Sequence, residues 1–539
     1  MFCYQCEQTA HGTGCTTHGV CGKDPTSSAL QELLVQAAKE IAWYARRAAA
    51  EGKQDQGVDA FVLEALFSTV TNVNFDPERL QELLQRATEV KATAQRLAGP
   101  GDPAPGELSW SEPSDLEALH TLAQEVSLAR RIDALGAEAA GLGELALYGL
   151  KGAAAYADHA RLLGYEDADL YKGFHALLAR LAQQSTQREE LLTTALEVGE
   201  LNLRAMEILD RAHTETYGHP EPVEVPITPR KGKAILVSGH DMKDLHALLE
   251  QTKDTGINVY THGEMLPAHG YPELRRFDHL VGNYGGAWQE QRREFAEFPG
   301  AILMTTNCIQ APKESYKDRI FTSGLVAWPG VQHIDNRDFA PVIQAALDAP
   351  GFSEDEPQKH ITVGFGRDAL QKAAGTLLEA IAAGDIRHLF LIGGCDGAKP
   401  GRNYYTDFAR AVPDDCLILT LACGKYRFNK LQFGTVAGIP RLLDVGQCND
   451  AYSAIRTALA LADALDCGVN DLPLSLVLSW FEQKAVGILL TLLHLGLRDI
   501  RLGPSLPAFV APEALSALQQ AYDLKPISNP QTDLQAVLK

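Results

Sequence analysis

The sequence has no apolar run of membrane length, no excess of positive charge, and no cysteine between Cys21 and Cys308. A bilayer span needs roughly 18 or more apolar residues in a row. The best candidate, Ile488–Leu497, is short and carries His494. Asp and Glu number 69 against 48 Lys and Arg, a formal net charge of −21. Phosphate backbones and anionic lipid would repel such a chain, so neither nucleic acid nor a membrane is an expected partner, whereas a basic redox partner is compatible. The opening MFCYQCEQTAHG has neither the basic nor the apolar region of a secretory signal. The expectation is a cytoplasmic protein whose thiols stay reduced and free to bind metal. What is present is ordinary globular composition, 45% hydrophobic and 22% charged over 539 residues. That length exceeds a single core and suggests about three or four domains.

Residues from about Ser28 to Thr216 read as helix. Ser28 with Gln31 resembles a capping box, followed by Leu30, Leu33, Leu34, Ala37, Ala38 and Ile41 at helical spacing. A second stretch is expected over Ala60–Val73, and Asp76-Pro77 reads as an N-cap followed by proline at the first helical position. Gly99–Pro113 reads as a loop between two groups of helices, giving two bundles in series. Four prolines in Tyr217–Pro229 mark a domain boundary. Beyond it, short apolar strands alternate with helical patterns, implying α/β units with parallel sheets. Strands are expected at Ala234–Val237, Ile257–Tyr260, Ile302–Thr305, Thr362–Gly364, Leu389–Ile392, Leu417–Leu421 and Leu442–Val445. Ser475–Leu493 reads as helix, and Ala349–Lys359 reads as a second boundary. The expected domains are therefore 1–222, 223–356 and 357–539.

The ten cysteines fall into two groups. Cys3, Cys6, Cys15 and Cys21 follow a C-x2-C-x8-C-x5-C pattern. Two thiolates three residues apart can reach neighbouring irons, and Gly12, Gly14 and Gly19 let the chain wrap closely around a cluster. Spacing alone allows a 4Fe–4S cluster or a four-cysteine zinc site; the wide gaps weigh against zinc.

The second group is drawn from across the C-terminal half. His240 follows AILVSG, Glu264 follows INVYTHG, Cys308 follows AILMTTN, Cys395 follows LFLIGG, Cys423 follows LILTLA and Cys448 follows LLDVGQ. Ligands of parallel α/β sheets gather at the carboxyl ends of strands, so these residues are expected to converge. Taken singly, a buried Cys is more often a packing residue and a His a hydrogen-bonded one. The recurrence of one topological position carries the metal reading. Glu482 lies among apolar neighbours, where an unpaired carboxylate would be unfavourable. Cys416 and Cys467 lack the glycine-rich setting and read as packing thiols. Soft thiolates beside His and carboxylates suit a cluster with both sulfide and oxygen bridges. Gly364–Asp368 lacks the full dinucleotide fingerprint and reads as a strand-end turn.

At these residues the sequence closely resembles the hybrid-cluster protein (hydroxylamine reductase) family. MFCYQCEQTAHGTGCTTHGVCG is similar to the class with closely spaced cysteines and a 4Fe–4S cluster. GHDMKDL, THGEMLPAHGYP, TTNCIQ, GGCDG, ACGKYRFNK, GQCND and WFEQKAV match family motifs in order across essentially the whole chain. The resemblance implies a multidomain α and α/β fold, N-terminal helical bundles followed by two Rossmann-like domains with parallel sheets, akin to the carbon monoxide dehydrogenases. It makes Cys3, Cys6, Cys15 and Cys21 ligands of the 4Fe–4S cluster. It gives His240, Glu264, Cys308, Cys395, Cys423, Cys448 and Glu482 to a hybrid 4Fe–2O–2S cluster, with Cys395 able to carry a persulfide. The implied activity is reduction of hydroxylamine to ammonia and water, with electrons from a separate donor protein and Glu482, Lys484 and His240 as proton donors. Lys484 also has a plainer reading, as a surface cation at the end of a helical turn. Nitric oxide reduction or protein S-nitrosylation would use the same residues. A carbon monoxide dehydrogenase would need a nickel–iron cluster and other ligand spacing. A non-catalytic redox sensor or electron carrier would have no use for Glu264 and Glu482.

Overall fold

The computed structural model describes residues 1–108, 115–398 and 403–538. Eight helices come first: α1 (Pro25–Ala50), α2 (Gln56–Ser68), α3 (Pro77–Ala98), α4 (Leu116–Ala123), α5 (Leu128–Leu135), α6 (Ala137–Leu162), α7 (Ala168–Ala182) and α8 (Arg188–Tyr217). The start of α1 differs from the Ser28 capping box. Asp24 caps it, accepting from the Thr26 and Ser27 N–H groups at 2.7 and 3.0 Å, with Pro25 at the first helical position. Gln31 instead donates to the Asn74 carbonyl at 2.8 Å. Asp76 caps α3 as expected, accepting from Glu78 N–H at 3.0 Å. Helix α2 begins behind the Asp55 cap and stops at Ser68, before the β-branched Thr69-Val70-Thr71 run. Residues 99–108 are irregular as read; the rest of that loop, through Pro113, lies outside the described residues. The two helix groups share one core, α1 packing on α3 and α7, and α6 on α8 and α2.

Two parallel sheets follow. In spatial order the first runs Leu280–Asn283, Asn258–His262, Ala234–Ser238, Ala301–Met304, Ile320–Ser323, Gln332–Ile334. The second runs Leu442–Gly446, Cys416–Leu421, His388–Gly394, Leu474–Ser479, Ile500–Gly503, Lys525–Pro526. The strand expected near Thr362 lies in neither sheet. His360–Val363 pairs antiparallel with Val223–Pro226, a ribbon whose Val225, Ile361 and Val363 are buried against Leu266 while Glu224 and Thr362 face out. Among the described residues no helix is long and apolar enough to cross a membrane.

The segment read as one helix from Ser475 to Leu493 is in fact two elements. Leu474–Ser479 is a buried strand between His388–Gly394 and Ile500–Gly503, and the helix starts only at Gln483. A fully buried strand and a buried helix present the same unbroken apolar run, so periodicity could not divide them. The Gln483–His494 helix lies against α6 and α8. A Cβ at Gly199 would sit 2.2 Å from the Leu490 carbonyl oxygen, so this close approach requires glycine.

Candidate metal centres

Each of the six strand-following residues lies just past a strand end: His240 after Ser238, Glu264 after His262, Cys308 after Met304, Cys395 after Gly394, Cys423 after Leu421 and Cys448 after Gly446. Glu482 follows Ser479 and is the N-cap of the last-described helix, its Oε2 accepting from Lys484 N–H at 2.8 Å. All seven line one cavity together with Trp288 and Asn307. His240 Nε2 is 3.6 Å from Glu264 Oε2. The ligand atoms of His240, Glu264 and Cys448 lie within 4.8 Å of one another. Gly394, at φ +115°, permits the turn into Cys395, since a Cβ there would fall 1.8 Å from the Ser479 carbonyl oxygen.

The surrounding polar groups hold these side chains across the two sheets. Gln447 Nε2 donates to the carbonyls of His240 (3.2 Å) and Glu264 (2.7 Å), and Cys448 N–H donates to Glu264 Oε2 at 2.8 Å. Asn307 Nδ2 donates to Cys308 Sγ at 3.2 Å. Lys484 is not a surface cation: it is 1% exposed, donating to His240 Nε2 at 2.9 Å and Asn307 Oδ1 at 3.0 Å, with Glu482 Oε1 at 3.7 Å. Thr306, Asn307 and Gln447 were not singled out from sequence; their only signal was adjacency to Cys308 and Cys448.

The electrostatics test whether a metal cluster fits here. Burial pushes the Cys395 and Cys423 thiols well above the usual range, with nearby carboxylates and thiols adding to it. Burial also raises Cys448, to about 12, and Cys308. The carboxyls of Glu264 and Glu482 are raised by burial, opposed by Lys425 and Lys484 at the first and by Lys484 at the second. Burial and the Lys484 charge hold His240 well below the ordinary imidazole value, hence neutral. Glu264 Oε1 is buried with no hydrogen-bond partner. Six crowded acids and a neutral imidazole facing one buried space suit a group of high positive charge, which stabilises the deprotonated forms that ligate metal. The donor set fits an iron–sulfur–oxygen cluster.

Cys3, Cys6, Cys15 and Cys21 line a second, small cavity. Cys3 and Cys15 exchange backbone hydrogen bonds of 3.0 and 2.8 Å, and Ala10 N–H points at Cys15 Sγ from 3.4 Å. All four are free thiols. Cys6 is raised well above the ordinary value by burial and then by Cys21 and Cys3, the same crowding of acids that a cation relieves. Cys416 and Cys467 line neither cavity. The two centres abut. Glu7 N–H donates to the Phe481 carbonyl at 3.0 Å, and Gln483 Nε2 donates to the Gln5 carbonyl at 2.5 Å while its Oε1 accepts from Thr71 N–H at 2.7 Å. Phe481 stacks on Trp288 at 4.0 Å, in an apolar cluster that also holds Cys6, Cys395 and Cys423.

Residues 1–535 match the prismane/CO dehydrogenase family. The chain belongs to that family. Within it, the chain is 54% identical over 542 residues to a hydroxylamine reductase of Syntrophobacter fumaroxidans, covering 100% of both chains. It is 56% identical over 550 residues to a hydroxylamine reductase of Burkholderia lata, covering 100% of this chain and 99% of that one. Among solved structures, carbon monoxide dehydrogenase IV of Carboxydothermus hydrogenoformans superposes with a TM-score of 0.56 at 15% identity, over 97% of this chain and 89% of that one. That likeness establishes a common fold, as the resemblance implied.

Proposed function

We propose that this prismane-family chain is an iron–sulfur oxidoreductase that reduces hydroxylamine to ammonia and water, NH2OH + 2 e− + 2 H+ → NH3 + H2O. The observation that carries the reading is the convergence of four thiols, one imidazole and two carboxyls, from separate strand ends, on one cavity beside a buried lysine. The likeness to the hydroxylamine reductases of Syntrophobacter fumaroxidans and Burkholderia lata supports it. In this reading Cys3, Cys6, Cys15 and Cys21 hold a 4Fe–4S cluster. His240, Glu264, Cys308, Cys395, Cys423, Cys448 and Glu482 hold the hybrid 4Fe–2O–2S cluster. That group, when bound, supplies electrons and Lewis-acid polarisation of the N–O bond.

The chain's own residues supply the protons and the enclosure. Burial disfavours the Lys484 ammonium, but Cys448, Glu482, Cys308 and Glu264 outweigh it and raise its pKa, so it stays charged and can donate to a leaving oxygen. Glu482 and Asn307 orient it. His240 presents Nε2 to the same space. Trp288 and Phe481 exclude water from the Cys395 side. Electrons from a separate donor protein enter where Cys3 and Cys21 are partly exposed, and leave through the Cys6–Glu7 segment bonded to Phe481.

The test is an anaerobic preparation assayed for iron, sulfide and ammonia formation with a reduced one-electron dye, wild type against Glu482→Gln. Ammonia at one per two electrons, lost in the variant, supports the reading. Wild type and variant that both pass electrons to and from the dye without forming ammonia make the protein a carrier. Faster consumption of nitric oxide than of hydroxylamine at matched reductant transfers the reading to that substrate.

A further inference from the structure

The hydrogen bonds around His240 are more specific than a ligand role alone requires. The Thr306 hydroxyl, 4% exposed, lies 2.8 Å from both the backbone nitrogen and the ring Nδ1 of His240, and donates to the Asn307 carbonyl at 3.2 Å. A hydroxyl has one proton and two acceptor positions. With its proton on Asn307, both remaining positions are acceptors, one for His240 N–H and one for the ring. Nδ1 therefore carries a hydrogen in this arrangement. The other side of the ring gives the same answer independently. Lys484 Nζ, a donor without acceptor capacity, is 2.9 Å from Nε2, so Nε2 must offer a lone pair. Glycine at 239 allows this close approach: a Cβ there would lie 2.4 Å from Thr305 Oγ1 and 2.9 Å from Thr306 Oγ1.

We propose that Thr306 is a positioning residue that fixes His240 in the Nδ1–H tautomer, so that Nε2 keeps the ring's lone pair, which accepts from Lys484 here and passes to iron when the ammonium turns to Asn307 and Glu482. The proposal rests on the reading of His240 as an iron ligand. Thr306 lines a separate polar cavity with Asp241, His159 and Arg337, and reaches the metal cavity through its bonds to His240 and Asn307.

The experiment compares the iron-loaded wild type with Thr306→Val, which is isosteric but offers no acceptor, and Thr306→Ser, which keeps it. Three quantities are read: the imidazole-nitrogen coupling by pulsed electron paramagnetic resonance on ¹⁵N-histidine protein, iron release to a chelator, and melting temperature. Outer hydrogen-bond partners of metal histidines contribute about 10- to 100-fold in metal affinity. The low end is expected because Lys484 still holds the other side of the ring. T306V should release iron from the C-terminal centre about 10-fold faster and change the nitrogen coupling, with T306S matching wild type; T306V should also melt a few degrees lower, because the buried His240 N–H loses its acceptor, so iron release is read well below both transitions. A T306V protein with wild-type coupling and wild-type iron release overturns the proposal. If T306V does not fold, Thr306→Ala, which removes the acceptor without a new methyl contact, is read by the same criteria. Absence of imidazole coupling in the wild type would instead remove His240 from the ligand set, a separate failure of the functional reading that takes this proposal with it.

Discussion

Replacing Lys484 with Met removes one positioned proton donor and little else. Methionine is unbranched and close to lysine in length, so the channel around the stem stays filled. What disappears is the ammonium that reaches His240 Nε2 at 2.9 Å and Asn307 Oδ1 at 3.0 Å. Asn307 Oδ1 loses that donor, a penalty of about 1–3 kcal/mol, partly offset because a buried charge no longer has to be desolvated. Glu482 and Glu264 also lose the ammonium that offsets their burial, so the melting temperature should fall and is measured alongside turnover. Turnover should change a great deal, since general-acid donors contribute about 100- to 10,000-fold, or about 2.7–5.4 kcal/mol of barrier. Lys484→Arg should not rescue it. The site is 1% exposed, and a planar guanidinium needs room that a point-charge ammonium does not. The assay is steady-state ammonia formation with iron content and the spectrum of the centre measured on the same sample. A K484M protein with full iron and turnover within threefold of wild type would refute the assignment of the proton to this residue.

Three further outcomes follow from the packing. Gln483→Leu leaves the Gln5 carbonyl and Thr71 N–H unpaired in the interior and should destabilise by about 2–4 kcal/mol, read as a lower melting temperature, with the N-terminal centre the first to lose iron. Gly394→Ala places a methyl group 1.8 Å from the Ser479 carbonyl oxygen, so the turn into Cys395 must move; iron in the C-terminal centre should fall at least twofold while the N-terminal centre keeps its spectrum. His213 is buried and held near a pKa of about 3 by burial, with His159 adding to it. Its folded pKa lies below the ordinary imidazole value, so the stability it contributes is complete above about pH 6.5. That contribution falls by about 1.4 kcal/mol per unit as pH drops towards about 3. His213→Phe, which can keep the edge-on contact with Tyr271, should flatten that part of the acid limb in denaturant midpoints, and an unchanged limb would contradict it.

What could be read from sequence was whatever leaves a periodic or repeated mark. Six of the ligand candidates announced themselves because each follows an apolar run at a strand end, and the parallel sheets follow from the same alternation. Glu482 was found for its charge among apolar neighbours, but its local structure was misread because Leu474–Ser479 is apolar on both faces. The strands Leu280–Asn283, Ile320–Ser323 and Gln332–Ile334 are short and partly polar, so they left no run to detect. Near the start of α1 two capping signals competed, and Asp24-Pro25 prevailed because its carboxylate satisfies two backbone N–H groups at once. Thr306, Asn307 and Gln447 act through hydrogen bonds to groups far away in the chain, which no local pattern encodes.

The bonds joining Glu7 to Phe481 and Gln5 to Gln483 set an order of events at the ribosome. The cysteine-rich segment is made long before Phe481 and Gln483, yet its pocket is lined by residues 1–23 and Thr71, so the four thiols can be gathered early and docked onto the rest of the molecule only near the end of synthesis.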